Sequence, residues 1–144
     1  MKTVLAPGVY DCLHIGHLRH LQAAKTLGDC LVVSVTPDRY VDKGPGRPLF
    51  STEERADMVR ALHIVDEVHV ENAFKGGDII KLVKPDIYVC GIEYRYRMPQ
   101  TVTSLCFQMN IEIRFLETRG NWSTTKIITG EALSERIDAV RKVG

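Results

Sequence analysis

Two histidines three residues apart, His14 and His17, end the segment GVYDCLHIGH that starts at Gly8. An imidazole can donate a hydrogen bond to a phosphoryl oxygen. When charged it can also stabilise the negative charge that grows as a phosphorus passes through five-coordinate geometry, with no covalent intermediate. A spacing of three puts both rings on one face of a helical turn, and Gly16 between them keeps the backbone approachable. The segment follows an apolar run and enters a helical pattern, so it occupies a strand-to-helix junction. The unpaired N–H groups and positive dipole end of a helix start favour anionic oxygens there. Without such a context a His-x-x-His pair is more often a surface feature or a pair of metal ligands. Here no cysteine or carboxylate cluster stands at structural-zinc spacing, and the junction favours phosphate chemistry. His20, one turn further on, reads as a solvent-facing helix residue without a role.

The elements that must position these rings can be read from periodicity. Thr3 to Ala6 is a short apolar run stopped by Pro7 and Gly8, a strand meeting a turn. From Ile15 the spacing of Leu18, Leu21 and Ala24 is helical, and Gly28 stands where a left-handed C-terminal cap is expected. Cys30 to Val35, CLVVSV, reads as a strand covered on both faces. Thr36 to Phe50 is polar and rich in proline and glycine, a functional loop rather than a connection. Ser51 with Glu54 forms a capping-box pattern, so a helix should start there and bury Ala56, Val59 and Leu62. Glu67 to Val70 is the third strand, Asp78 caps a helix through Val83, Pro85 ends it, and Ile87 to Cys90 is the fourth strand. Gln100 to Met109 is helical. Ile111 to Leu116 alternates and suits an edge strand, Ser123 caps a helix through Ile128, and Glu131 to Val143 is a terminal helix. Five strands alternating with helices predict a Rossmann-like, doubly wound, five-stranded parallel sheet, one domain over residues 1–144, with its cleft outside the carboxyl ends of the strands.

Composition narrows the class of ligand. The chain has 144 residues, 44% hydrophobic and 26% charged, and a formal net charge of +1. That balance provides no global field for gripping nucleic acid or an anionic membrane, so any anion site must be local and its ligands small. Four widely separated cysteines with no Cys-x-x-Cys pair and no secretory signal point to reduced thiols in the cytoplasm. No apolar run approaches the roughly 18 residues of a membrane span.

Several further segments occur in order: LGDCLVVSVTPD, KGPGRP, EERADMVRAL, VDEV and STTKII. Together with GVYDCLHIGH they resemble the cytidylyltransferase-like nucleotidyltransferases with an HxGH motif, a family that includes heptose-1-phosphate adenylyltransferases and glycerol-3-phosphate and ethanolamine-phosphate cytidylyltransferases. The resemblance runs from about Lys2 to Thr129. It implies that His14 and His17 stabilise the transition state, and that Lys43, assisted by Arg47, reaches the triphosphate from the long loop. Gly8, Val9, Tyr10, Arg55, Gly91, Ser123, Thr124 and Thr125 are implied as nucleotide contacts, and Asp11, Asp66 and Glu93 as contacts to the acceptor. Hydroxyls and N–H groups at the helix start after Ser123 also suit phosphate on physical grounds. The chain departs from its relatives in three places: Arg119 and Gly120 are one residue out of register before Ser-Thr-Thr, His63 replaces an arginine before Val65-Asp66, and Glu93 replaces an aspartate.

The implied reaction joins a nucleoside monophosphate from a nucleoside triphosphate to a small phosphorylated acceptor, with magnesium accompanying the triphosphate and the Lys43 loop neutralising the leaving pyrophosphate. ATP with a phosphorylated sugar such as heptose 1-phosphate comes first. CTP with glycerol 3-phosphate or another small phosphorylated alcohol is the alternative, and a non-catalytic nucleotide-binding module is the second alternative. Tyr94-Arg95-Tyr96-Arg97 could meet the acceptor phosphate, form a dimer contact or simply be solvated. Relatives commonly form homodimers, and the same state is expected here; no metal ligands can be assigned.

Overall fold

In the computed structural model, which describes residues 1–71, 77–118 and 120–143, the apolar runs become five strands: β1 (Thr3–Gly8), β2 (Cys30–Val35), β3 (Glu67–Val70), β4 (Ile87–Gly91) and β5 (Glu112–Leu116). Between and after them lie α1 (Ile15–Lys25), α2 (Thr52–Arg60), α3 (Gly77–Val83), α4 (Gln100–Gln108), α5 (Thr124–Thr129) and α6 (Glu131–Val143). All strand pairs are parallel, in the order β3-β2-β1-β4-β5. The chain therefore winds outward from β1 to β3, returns to the other side of β1, and winds outward again. This is the doubly wound Rossmann-like sheet that the sequence predicts. Its winding reverses at β1, where connections leave in opposite directions and open a crevice at the carboxyl ends of the strands.

Side-chain alternation along β1 and β2 divides the interior. Val4, Ala6, Val33 and Val35 pack with Leu21 and Ala24 of α1 and with Ala56 and Val59 of α2. On the opposite face Leu5, Val32, Tyr88 and Cys90 pack with Ile79 and Ile80 of α3 and with Val102 and Cys106 of α4. With helices on both faces, β2 is buried continuously from Leu31 to Val35, which is why its sequence does not alternate. At the edge, β5 does alternate, with Glu112 and Arg114 exposed.

The expected capping box is present: Ser51 Oγ accepts from the Glu54 amide at 3.2 Å, and Glu54 Oε1 accepts from the Ser51 amide at 3.0 Å. Gly28 requires a correction. Helix α1 closes at Thr26 in right-handed geometry, and Gly28 is not in the left-handed region. A Cβ at Gly28 would lie 2.7 Å from the Lys2 carbonyl oxygen and 2.8 Å from Val4 Cγ2, so glycine is needed for close approach to β1. The left-handed cap occurs instead at Gly130, after α5, with φ 80°. Asp78 sits inside the first turn of α3 rather than capping it. Among the described residues no helix is long and apolar enough to cross a membrane.

Candidate active site

A cleft of about 1020 Å³ lies at the carboxyl ends of the strands. Its walls include Pro7 and Gly8 at the end of β1, Ser34 and Thr36 at the end of β2, Glu71 after β3, Gly91 at the end of β4, and Ser123 to Thr125 at the start of α5. The two sequence-predicted histidines meet at the start of α1. His14 is its N-cap, with Nδ1 accepting from the Gly16 amide at 3.0 Å, while His17 Nδ1 accepts from the His14 amide at 3.2 Å. The rings stack, with centroids 3.9 Å apart and planes 27° from parallel, and His17 lines the cleft. This is a capping box built from imidazoles instead of the usual serine and glutamate.

The cap fixes the chemistry of both rings. A nitrogen that accepts an N–H must carry a lone pair, so each Nδ1 is unprotonated and each neutral ring carries its proton on Nε2. Charging either ring would place a proton on an accepting nitrogen and break the cap, so this geometry presents neutral donors, not imidazolium ions. The amides of Gly16 and His14 are already engaged by the rings. What the helix start offers here is imidazole edges more than those amides.

The loop after β1 is held by its own side chains. Tyr10 lies in the left-handed region at φ 53°, and its buried ring folds back so that its hydroxyl donates to the Ala6 carbonyl at 3.1 Å. A Cβ on Gly8 would stand 2.8 Å from that ring, so the glycine makes room for the tyrosine. Gly8, Val9 and Tyr10 all border the cleft. Asp11, expected to touch the acceptor, is buried with both oxygens engaged: Oδ2 accepts from the Leu49 amide at 2.7 Å and Oδ1 from the Phe50 amide at 3.0 Å. Its carboxylate anchors the end of the long loop, and this geometry makes it a positioning group.

That loop and α5 complete the near wall. Thr124 Oγ1 donates to the Asp11 carbonyl at 2.7 Å, tying α5 to the β1 loop, and Ser123 caps α5 by accepting from the Lys126 amide at 3.1 Å. Thr125 Oγ1 accepts from Arg47 Nη1 at 3.3 Å, and Arg47 Nε stands 3.9 Å from Asp11 Oδ2. Lys43 is exposed and lines the cleft. Arg119 lies outside the described residues.

Two of the expected ligand contacts have partners within the protein. Arg55 is 1% exposed and all five of its N–H donors point into the protein. Nε donates to the Phe50 carbonyl at 2.9 Å and Nη1 to the Val9 and Thr36 carbonyls at 2.7 Å each, while Nη2 donates to Asp38 Oδ1 at 2.7 Å and Thr52 Oγ1 at 3.4 Å. It knits the β1 loop, the end of β2 and the long loop together and keeps no donor for a nucleotide. Asp66 is at the opposite, amino end of the sheet, where Oδ2 accepts from Lys25 Nζ at 2.6 Å and from the Leu31 amide at 2.7 Å. It borders a separate hollow of about 270 Å³ beside β3 and does not line the cleft. His63 does not line the cleft either. Both acids are held below the usual carboxylate range, Asp38 chiefly by the hydrogen bond from Arg55, and Asp66 chiefly by that from Lys25 and then by the Leu31 amide.

On the far wall, the Glu93 carboxylate lies over Gly91, where any Cβ would collide with it; both residues line the cleft. Of the Tyr94 to Arg97 segment, Tyr94 and Arg97 face the cleft, with the guanidinium 5.1 Å from the ring centroid and Nε donating to the Glu93 carbonyl at 3.1 Å. Tyr96 is 93% exposed. No motif marked several wall residues, Arg19, Ser34, Glu71 and Tyr88, and His20, expected to face solvent, is half-buried on the same wall. Strand register could have flagged Ser34, since it is a polar group near the carboxyl end of a buried strand. Cys90 also lines the cleft, and burial pushes its thiol up to about 12, so it stays protonated.

Fold and site together define a Rossmann-like α/β domain whose first helix, at the topological switch point, starts with two stacked histidines, of which His17 lines the cleft. The chain belongs to the cytidylyltransferase-like family, whose model matches residues 5–130. It is 37% identical over 132 residues to the bifunctional protein HldE of Syntrophotalea carbinolica, covering 88% of this chain and 26% of that protein. With HldE of Campylobacter fetus it shares 38% over 127 residues, 87% of this chain and 27% of the relative. The chain thus spans about a quarter of the length of these curated relatives. A lipopolysaccharide core biosynthesis protein from Thermoplasma volcanium superposes with a TM-score of 0.68 at 29% identity, over 82% of this chain and 96% of that one. Pantothenate synthetase from Thermus thermophilus shares the fold, with a TM-score of 0.57 at 16% identity over 81% of this chain and 56% of that one.

Proposed function

We propose that this chain is a nucleotidyltransferase of the HxGH class that transfers a nucleoside monophosphate, from ATP in first place, to a phosphorylated sugar such as heptose 1-phosphate, releasing pyrophosphate. The observation that supports this reading is the imidazole cap, two stacked histidines at the start of α1 with His17 on the cleft wall. An oxygen of the acceptor phosphate attacks the α-phosphorus, the bond from that phosphorus to the oxygen bridging to the β-phosphate breaks, and pyrophosphate leaves. Donors fixed before the reaction stabilise the charge on the α-phosphoryl oxygens without reorganising. Lys43 and the hydroxyls of Ser123 and Thr125 border the route of the leaving group. Magnesium accompanying the triphosphate would offset part of its charge; among the described residues no three His, Cys, Asp or Glu side chains converge to hold an ion. The likeness to a lipopolysaccharide core biosynthesis protein supports a sugar-type acceptor, and the description of the family model supports CTP with glycerol 3-phosphate as the second reading.

Pyrophosphate release measured with each of the four nucleoside triphosphates against phosphorylated sugars, polyols and amino alcohols tests the proposal. Release with ATP and heptose 1-phosphate is expected, and CTP with glycerol 3-phosphate alone would install the second reading. Nucleotide binding with no release for any pairing would overturn the enzymatic assignment.

A further inference from the structure

We propose that Arg97, on the loop after β4, is a clamp for the phosphate group of the acceptor. The inference rests on the nucleotidyltransferase reading and names the residue by which the same cleft holds its second anionic substrate. Bringing a phosphorylated acceptor against a triphosphate sets like charges together, and that repulsion has to be offset by cations. The capping histidines are neutral, so the positive charge comes from elsewhere. Among the described residues the lysine and arginine side chains that line the cleft are Arg19, Lys43 and Arg97. Lys43 belongs to the long loop, which Arg47 ties to Thr125 at 3.3 Å, and it borders the route of the leaving pyrophosphate. Arg19 is exposed on α1, and no hydrogen bond, ion pair or ring contact among the described residues orients it.

Arg97 differs because its own loop holds it. After β4 the chain turns through Ile92 to Tyr94, with the Arg95 amide donating to the Ile92 carbonyl and the Arg97 amide to the Tyr94 carbonyl, at 3.1 Å each. Just beyond, Met98 Sδ lies 3.7 Å from Cys90 Sγ, so the loop closes back on the strand it left. On this closed loop Arg97 Nε donates to the Glu93 carbonyl at 3.1 Å, and the guanidinium carbon stands 5.1 Å from the centroid of the Tyr94 ring. A backbone acceptor on Nε and an aromatic face beneath set the plane of the fork. The Glu93 carboxylate lies over Gly91 and makes no ion pair with Arg97, and among the described residues neither Nη1 nor Nη2 of Arg97 has a hydrogen-bond partner. Two adjacent terminal NH2 groups on a fixed plane match two oxygens of one phosphate in parallel charge-assisted hydrogen bonds. Arg95, two residues earlier, stacks instead on Tyr96 at 5.7 Å, and neither of that pair lines the cleft. It carries the same charge on the same loop and serves as a control.

Calorimetric titration of wild type, Arg97→Ala, Arg97→Gln and Arg95→Ala separates the acceptor's phosphate from its sugar and from the triphosphate. The probes are heptose 1-phosphate, the unphosphorylated heptose and glycerol 3-phosphate, each with and without a saturating non-hydrolysable ATP analogue, and ATP alone. Arg97→Ala and Arg97→Gln are expected to weaken the phosphorylated acceptor by about tenfold to a hundredfold, with ATP and the unphosphorylated heptose unchanged. Arg95→Ala should match wild type with every probe. Thermal unfolding checks the fold, and if Arg97→Ala fails to fold, Arg97→Gln, which keeps an amide within the side chain, decides. Undiminished phosphate binding in the Arg97 variants, an equal loss for the unphosphorylated heptose, a loss confined to ATP, the same loss in Arg95→Ala, or a wild type that binds neither phosphorylated compound would overturn the clamp. If phosphate binding depends on Arg97 but no pyrophosphate is released in any pairing, the nucleotidyltransferase reading fails while the clamp stands. Release that persists undiminished at subsaturating acceptor in Arg97→Ala would remove the clamp and leave that reading.

Discussion

Arg55 and His17 are both polar, both at least nine-tenths buried and both near the start of a helix that flanks the β1 loop, but their donors end in different places. Arg55 directs every N–H at carbonyls, a carboxylate and a hydroxyl of the protein. His17 accepts the His14 amide at Nδ1, stacks on the His14 ring and sits on the cleft wall. Burial of a polar group therefore does not distinguish a builder from an actor; the direction of its hydrogen bonds does. The first holds the cleft's shape, and the second is proposed to meet what enters it.

The comparison breaks most visibly at Arg55. Arg55→Ala leaves three carbonyls and Asp38 without their donor and should cost about 3–5 kcal/mol of stability in denaturant unfolding. Arg55→Lys should recover little of this, because three donors on one nitrogen cannot reach partners on four segments. If nucleotide affinity fell while stability held, Arg55 would be an actor after all. His17→Ala should show the reverse pattern: turnover lower by about 10²–10³-fold, with loss of a cap acceptor costing only about 1 kcal/mol. His14→Asn sharpens the contrast further, since asparagine is a good N-cap. Stability should stay within about 0.5 kcal/mol while turnover drops by at least about tenfold as the donor stacked on His17 is lost.

A smaller effect concerns acid. Asp38 and Asp66 are depressed below the ordinary carboxylate value of 3.8 in the folded protein. The stabilisation they contribute is complete above that value and is lost as pH falls through their lowered values, because the unfolded chain takes up protons first. Unfolding midpoints should be flat through the weakly acidic range and drop below it, and less steeply in Asp66→Asn. That substitution should cost less than about 1 kcal/mol at neutral pH and leave the acceptor KM unchanged. A raised acceptor KM would restore Asp66 to the site.

Much of this architecture was legible because its signals are local. Alternation in β5, the continuous apolar run of β2 and the Ser51–Glu54 pair each report the nearest neighbours of the residues concerned. The His-x-Gly-His spacing likewise placed both rings at one helix start, although not that they would cap it themselves and so remain neutral. What the sequence hid depends on long-range geometry. Gly28 looked like a helix terminator because its real constraint, the Lys2 carbonyl, is 26 positions away in the chain. Arg55 and Asp66 looked like ligand contacts because a motif does not say which end of a sheet a side chain faces or whether its donors are already taken. Glu71 drew no attention since its position on the cleft wall follows from pairing β3 with β2, which a single chain read in order does not display.

The central proposal is that His14 and His17 are neutral, with Nδ1 accepting from backbone, and that His17 meets the α-phosphate of the nucleotide. Nitrogen-15 NMR of the two imidazoles, recorded at neutral pH with and without a non-hydrolysable ATP analogue, addresses it most directly. The account predicts unprotonated Nδ1 and protonated Nε2 in both rings, with the His17 Nε2 resonance moving when nucleotide binds. A proton on either Nδ1, or Nε2 resonances indifferent to saturating nucleotide, would contradict it.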